Sequence, residues 1–448
     1  MLPPGGWPRA DSHGTTPLPD TLATEWGGKR GALFWLALKT GFWSILTLGF
    51  YRFWMKTRLR RYFWSAIRPG GHPMEYVGDP VEKLLGFFIA VVILTFYIGL
   101  VNLILMFVSF SLFEGAGFGF IATGAGVLPL WFFARYRARR YVLGRTRWRG
   151  MRFAVDKAAW AYTGQALKHW AITLLSLGVL WPRMTFYLEK FRIDRTWFGD
   201  VQLHQGGRWQ MLYPALRPLL VIVALTALWA LWVAWLSPVI PPAPDGAETL
   251  SIDYFEQIFV TDGAERGFTL QNLTGPWRLV AAPVLILALL YALIHYIAVS
   301  KRILANHKTA DGLTFHSVIR PARVATIYGI GVTMSYLVLV VGLSLILGIG
   351  MATFGPETFV SIFGEDIPGV EAAPRWLKIT AMAVLYFLVF LMWSTLYNTF
   401  VTFPLWRHYA ETTSLGQPGR LATVSQRARD AAEGAEGFAE ALDLGAAI

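Results

Sequence analysis

The sequence predicts an all-α polytopic membrane protein with about six transmembrane helices, two re-entrant or interfacial helices, internal repeats and a small β-rich cytoplasmic cap. Three observations predict it. Of 448 residues, 55% are hydrophobic and only 15% charged, with a mean hydropathy of +0.45, whereas soluble domains carry about 25% charged residues. The apolar residues fall in long runs, and Leu84–Phe113 holds 30 residues without a charge. An arginine-dense, tyrosine-containing cluster succeeds such runs twice, as "KTRLRRYFW" (56–64) and "RYRARRYVLG" (135–144).

Residues 1–30 read as a disordered lead-in, because Met1–Glu25 is rich in Pro, Gly and Thr and lacks the basic and apolar regions of a cleavable signal. Residues 31–159 form a first half, 160–425 a second, and 426–448 a cytoplasmic tail. Charge sets the sidedness. Lys and Arg outnumber Asp and Glu by six to three over 55–83, nine to one over 135–159, six to three over 183–217 and five to one over 300–323. The balance reverses at 241–276, six acids against Arg266, and at 350–375, four acids against Arg375. Basic segments stay in the cytoplasm, so both termini are expected inside and the two acidic loops outside.

Two apolar segments conflict with simple crossing, since 32–54 and 160–181 would then disagree with their flanking charge. They align without gaps, "ALKTGFWSILTLG" (37–49) against "ALKHWAITLLSLG" (166–178), which is a duplication at an offset of 129 residues. Lys39 matches Lys168, Thr47 matches Ser176, and Gly49 matches Gly178. A lysine at mid-membrane costs about 2.5–3.5 kcal/mol, while one at the interface snorkels. Both segments are therefore expected to dip in and return, broken near Gly49 and Gly178. Six crossings remain, at roughly 84–113, 118–134, 212–240, 278–299, 324–349 and 378–403. Eight crossings of mixed orientation are the alternative.

The chain immediately after each basic cluster also repeats. Gly71, Gly150, Gly199 and Gly312 each lie nine or ten residues past the last basic residue, and Met74, Phe153, Leu203 and Phe315 come three or four residues later. Thr146, Thr196 and Thr309 precede three of the four, and residues 406–425 read as a degraded fifth copy. Strand-forming residues on both sides of each glycine predict hairpins that pair into one small cytoplasmic sheet.

The stretch "SILTLGFYRFWMKTRLRRYFWSAIRPGGHPMEYVGDPVEKLLGF" (44–87) resembles the signature of the YjgN-like family of bacterial inner-membrane proteins, whose defining domain has no known function. The match rests on Thr47, Leu48, Gly49, Arg60, Arg61, Tyr62, Phe63, Gly71, His72, Tyr76 and Gly78, and departs at Pro73 and at Met74, where the family more often has Phe. The resemblance is sharp in this stretch and at 135–155, and extends over most of 30–410. It implies a bacterial inner-membrane location and no reaction.

Candidate chemistry is sparse. Cysteine is absent, which removes disulfides and thiolate chemistry. No H-E-x-x-H, Walker or dinucleotide-binding motif occurs, so no metal and no cofactor are expected. His72, His204 and His316 fall at related places in three modules and read as wet turn residues rather than ligands. No recognition element for nucleic acid is visible. Lys39 and Lys168 are the intramembrane polar candidates, read either as snorkelling side chains or as an anionic site in matched broken helices. Arg58, Arg60, Arg61, Arg135, Arg137, Arg139 and Arg140 are the candidates for anionic lipid head groups. The expected function is a non-enzymatic scaffold, or a lipid-contacting partner of a membrane complex. A transporter or channel for a small anionic solute or lipid is the alternative. The tail "RARDAAEGAEGFAEALDL" (427–444) reads as a helix that either docks a partner or stays solvated.

Overall fold

The computed structural model describes residues 21–113, 117–236, 281–363 and 374–426. The "EGA" at 114–116, the acidic loop at 241–276, the acids at 364–373 and the tail helix at 427–444 lie outside the described residues. One compact unit comprises Met1–Trp209, Leu304–Ile319 and Ile327–Ile448, and a second comprises Gln210–Ile303 with Arg320–Thr326.

In chain order the described residues make five strand–helices–strand excursions. The first is β1 (Thr21–Trp26), α1 (Arg30–Leu46), α2 (Arg52–Ala66) and β2 (Ile67–Pro69). The second is β3 (Met74–Tyr76), α3 (Pro80–Phe113), α4 (Gly117–Gly144) and β4 (Thr146–Trp148). The third is β5 (Met151–Val155), α5 (Ala159–Leu175), α6 (Trp181–Ile193) and β6 (Thr196–Phe198). The fourth begins with β7 (Val201–Gln202) and β8 (His204–Gln205), runs through α7 (Tyr213–Leu236) and α8 (Ala281–Asn306), and ends in β9 (Lys308–Ala310). The fifth begins with β10 (Leu313–Ser317), α9 (Pro321–Phe354) and α10 (Pro356–Phe363). It closes with α11 (Arg375–Tyr397), a π-helical turn (Asn398–Thr402), α12 (Phe403–Glu411) and β11 (Thr413–Gly416).

The two end strands of every excursion pair antiparallel with each other: β1 with β2, β3 with β4, β5 with β6, β8 with β9, and β10 with β11. Successive excursions are joined by the hairpins β4–β5, β6–β7 and β9–β10, and the last strand returns to the first through β1–β11. Two sheets result, ordered β2-β1-β11-β10-β9-β8 and β3-β4-β5-β6-β7. Leu203 alone separates β7 from β8, and residues 70–73 separate β2 from β3. Both sheets face one apolar cluster, in which Trp148, Phe198 and Leu203 meet Ala310, Leu313 and Val424.

Local chemistry explains the switch from helix to strand. Thr146, Thr196 and Thr413 each donate their hydroxyl to the carbonyl four residues back, at 2.8, 2.7 and 2.8 Å, which ties off the last helical turn as the extended chain begins. The turns then need left-handed backbone. Arg149 and Gly150 have φ of 51° and 80°, and Asp311 and Gly312 have 45° and 85°, the two-residue pattern that matches strand twist in a hairpin. Gly71 and Gly199 also have positive φ, at 79° and 59°.

Three expectations need correction. Residues 21–26 are not part of a disordered lead-in, because β1 sits between β2 and β11 and pairs its backbone with both. The strands flanking Gly71 do not form a hairpin with each other: β2 pairs with β1 and β3 with β4. The link 70–73, which ends in Pro73 with no backbone N–H to offer a ladder, carries the chain from one sheet to the other. The strands accordingly make two sheets rather than one. The helix that holds the expected crossing at 118–134 runs on through the arginine cluster to Gly144.

Among the described residues, four helical stretches are long and apolar enough to cross a membrane: Trp209–Leu231, Ala281–Asn306, Pro321–Thr353 and Arg375–Glu411. The segments 32–54 and 160–181 fold differently. Each is a helix ending in a tight turn from which a second helix departs. Leu48 and Gly49 have φ of 51° and 91°, and Leu177 and Gly178 have 49° and 85°. Gly49 N–H donates to Ser44 O at 2.7 Å and Gly178 N–H to Thr173 O at 2.8 Å. The Thr47 hydroxyl accepts from Tyr51 N–H, and the Ser176 hydroxyl from Leu180 N–H. The sequence offset of 129 also holds in strand register: Thr24–Pro69 and Trp26–Ile67 correspond to Phe153–Phe198 and Val155–Thr196.

Candidate functional site

The arginine candidates lie on two helices and divide by environment. On α2, Arg58 is exposed with its guanidinium 5.6 Å from the Tyr51 ring. Arg61 is exposed and donates to Gly78 O at 3.0 Å. Arg60 turns inward, 5.7 Å from the Trp64 ring and 5.2 Å from that of Tyr76. On α4, Arg135 lies over Trp131 and Arg137 over Phe133, at 5.1 and 5.6 Å. Arg140 is buried and its Nε donates to Val155 O at 2.9 Å, which pins α4 to β5.

Arg139 belongs to a cluster that the sequence did not reveal. Glu189 on α6 accepts from Lys308 Nζ at 2.7 Å and from Arg192 Nη2 at 2.6 Å. The pairs are mostly enclosed, with side-chain exposures of 17% for Glu189, 20% for Lys308 and 23% for Arg192. Burial opposes ionisation of Glu189, yet Lys308, Arg192 and Arg139 together hold it well below the usual carboxylate range. Arg139 is pushed below the ordinary arginine range by burial and then by the Arg192 charge, and Arg135 by the same two causes. Tyr136, one turn before Arg140 on the same helix, donates to Asp156 O at 2.9 Å and is pushed up to about 12 by burial.

A second ionic contact joins α3 to the end of α4. Arg145 Nη2 meets Glu82 Oε1 at 2.5 Å, and Tyr141 OH meets Glu82 Oε2 at 3.1 Å. Lys83 is 1% exposed, 3.2 Å from the Thr57 hydroxyl and 5.0 Å from the Tyr76 ring centre. These groups fix the α2–α3–α4 corner.

Lys39 and Lys168 occupy equivalent places on α1 and α5, and both side chains are exposed. The turns beyond them present apolar side chains outward: Leu48 is 83% exposed and Leu177 93%. The turn amides are satisfied by Ser44, Thr173 and the two hydroxyls. Gly71, Gly150 and Gly312 are exposed turn residues, whereas Gly199 is buried under the chain at Ser425. Asp200 beside it accepts from Ser425 N–H at 2.9 Å and from the Ser425 hydroxyl at 2.6 Å.

Among the described residues no three His, Asp or Glu side chains are grouped to hold a metal ion. His72 and His316 are exposed, and His204 Nδ1 is 3.4 Å from Asp194 Oδ1. Comparison with known proteins gives one finding: a family model described as a bacterial protein of unknown function, DUF898, matches residues 21–347. A search of curated proteins and a search of solved structures each return no match.

Proposed function

Because the chain belongs to this bacterial family of unknown function, the YjgN-like family, we propose a role that its architecture supports without a reaction: a non-enzymatic, multi-pass inner-membrane scaffold that contacts anionic lipid. The observation that carries it is the pairing of the strands that open and close each excursion. A chain that leaves one sheet and returns to a neighbouring strand brings both ends of its helices to the same face. The basic segments 135–159 and 300–323 lie at those ends, and 55–83 and 183–217 run along α2 and α6 back to them; the positive-inside rule puts that face in the cytoplasm. On this reading α3, α4, α7, α8, α9 and α11 make six crossings. The α1–α2 and α5–α6 pairs dip into one leaflet. Two copies of one ancestral module, offset by 129 residues, account for the matched dips. Both termini are cytoplasmic, and the two sheets form the cytoplasmic cap.

Lys39 and Lys168 then ring the two dips at head-group depth. Their outward orientation favours snorkelling to lipid phosphate over a shared interior site for a transported anion. Arg58 and Arg61, exposed on α2, add to the same rim. A cation near an anionic surface contributes about 1 kcal/mol, which is about a fivefold change in local lipid enrichment. The test is mass spectrometry of the lipids that co-purify with the protein. The combined Lys39→Glu, Arg58→Glu and Lys168→Glu variant is expected to lose at least tenfold of its bound phosphatidylglycerol and cardiolipin relative to zwitterionic lipid. An unchanged ratio in a folded variant overturns the lipid-contact role.

A further inference from the structure

We propose that Arg135, Arg139, Arg192 and Lys308 form an enclosed binding site for a phosphate-bearing anion, organised around Glu189. The site is built from three separate elements. Arg135 and Arg139 stand four residues apart and so share one face of α4, Glu189 and Arg192 stand three apart on α6, and Lys308 opens β9.

Charge does not balance there. One carboxylate faces four cations, and both of its oxygens are already engaged, Oε1 by Lys308 and Oε2 by Arg192. The neighbouring acids have other partners: Asp194 pairs with Lys190 at 2.9 Å, and Asp156 accepts from the Trp197 indole at 3.0 Å. The Nε groups of Arg135 and Arg139 are shielded from solvent and meet no acceptor among the described residues. Arg192 repels both guanidiniums.

Holding such a surplus of enclosed positive charge is costly unless an anion neutralises it. Two guanidiniums with unused donors, an ammonium and a third guanidinium suit a group with several oxygens arranged in three dimensions. Arginine forks bind phosphate through paired hydrogen bonds, and lysine adds a point charge. The chemistry fits a phosphate monoester or diester, supplied either by a lipid head group or by a soluble phosphate. Arg135 marks the approach from the apolar part of α4, where Trp131 underlies it. The residues differ from the exposed Lys39, Arg58 and Lys168, so this site and the lipid-contact role stand or fall separately.

The full-length protein in an uncharged detergent is titrated with inorganic phosphate, with dihexanoyl-phosphatidylglycerol, and with sodium chloride at matched ionic strength, while its melting temperature is monitored. Saturable stabilisation by either phosphate compound beyond that by chloride is expected. Response to both identifies phosphate itself as the ligand, and response to the lipid alone identifies a head group with its chains. Arg135→Gln is expected to weaken the apparent affinity at least tenfold, and Lys157→Gln, an exposed change on the loop before α5, to leave it unchanged. Should Arg135→Gln fail to fold, Glu189→Gln supplies a test of opposite sign: by enlarging the surplus it makes stability more dependent on the phosphate compound. Equal responses to phosphate, lipid and chloride overturn the proposal, as does an Arg135→Gln variant that binds like the parent.

Discussion

Glu189→Leu is expected to destabilise the protein by about 3 kcal/mol or more, the scale observed when one partner of an enclosed ion pair is removed and its cations are left uncompensated. Glu189 is the hub between α6 and β9: it holds Lys308 across 119 positions of chain and Arg192 on its own helix. Removing Lys308 instead, as Lys308→Met, leaves Arg192 to neutralise the carboxylate and lessens the local positive surplus. That change is expected to cost about 1 kcal/mol, close to an ordinary hydrogen bond. The asymmetry is the diagnostic result. Unfolding of the purified variants in detergent, without added phosphate, measures it, and equal losses for the two variants would contradict the account of an electrostatically overloaded cluster.

Trp148→Ala is expected to cost about 3–5 kcal/mol, as for other large aromatic truncations in cores. Trp148 is 5% exposed, its ring centre is 5.6 Å from that of Phe198, and its indole donates to His72 O at 3.3 Å. It belongs to the cluster that both sheets face, so its loss opens a cavity shared by strands from several excursions. Trp35 provides the control. It lies on α1, is 67% exposed and faces outward, so Trp35→Ala is expected to leave detergent unfolding within about 0.5 kcal/mol of the parent, as surface substitutions usually do. If the two tryptophans cost the same, the sheets do not enclose a common core.

Much of this architecture was legible because it is local. Apolar runs longer than a bilayer announce helices, and Arg149–Gly150 and Asp311–Gly312 announce hairpins through the backbone they demand. The ungapped match of Lys39 to Lys168 anticipated that both segments break at a glycine, and Leu48–Gly49 and Leu177–Gly178 do so with nearly the same φ. Pairing across long separations left no such mark. β1, "TLATEW", lies beside a Pro- and Gly-rich stretch and has no apolar run, yet it finds β11 nearly 400 residues away, Thr21 opposite Gly416. The glycine at 71 looked like its counterparts, and Pro73, without a backbone N–H, is the local feature that sets this sheet-to-sheet link apart from a hairpin. The arginines illustrate the same limit. "RYRARR" reads as a uniformly basic exit, but helical geometry sends Arg140 to Val155 and Arg139 toward Glu189. Neither partner is identifiable without the fold. Glu189 itself sits in "YLEKFR", where an acid flanked by cations looks like ordinary surface patterning.

The proposed topology has every excursion of the chain start and finish on one side of the bilayer, with two of the five turning back inside it. The absence of native cysteine allows a direct measurement, in which single cysteines replace Arg149 and Asp311 in the strand turns and Leu48 and Leu177 at the helix-pair tips. Each is exposed to a membrane-impermeant maleimide in sealed vesicles of either orientation. Cysteines at 149 and 311 are predicted to react only in inside-out vesicles, and those at 48 and 177 in neither until the membrane is dissolved. Labelling of 48 or 177 from the outer face alone would mean that these helix pairs cross rather than return, and would contradict the shared origin of all five excursions on the cytoplasmic side.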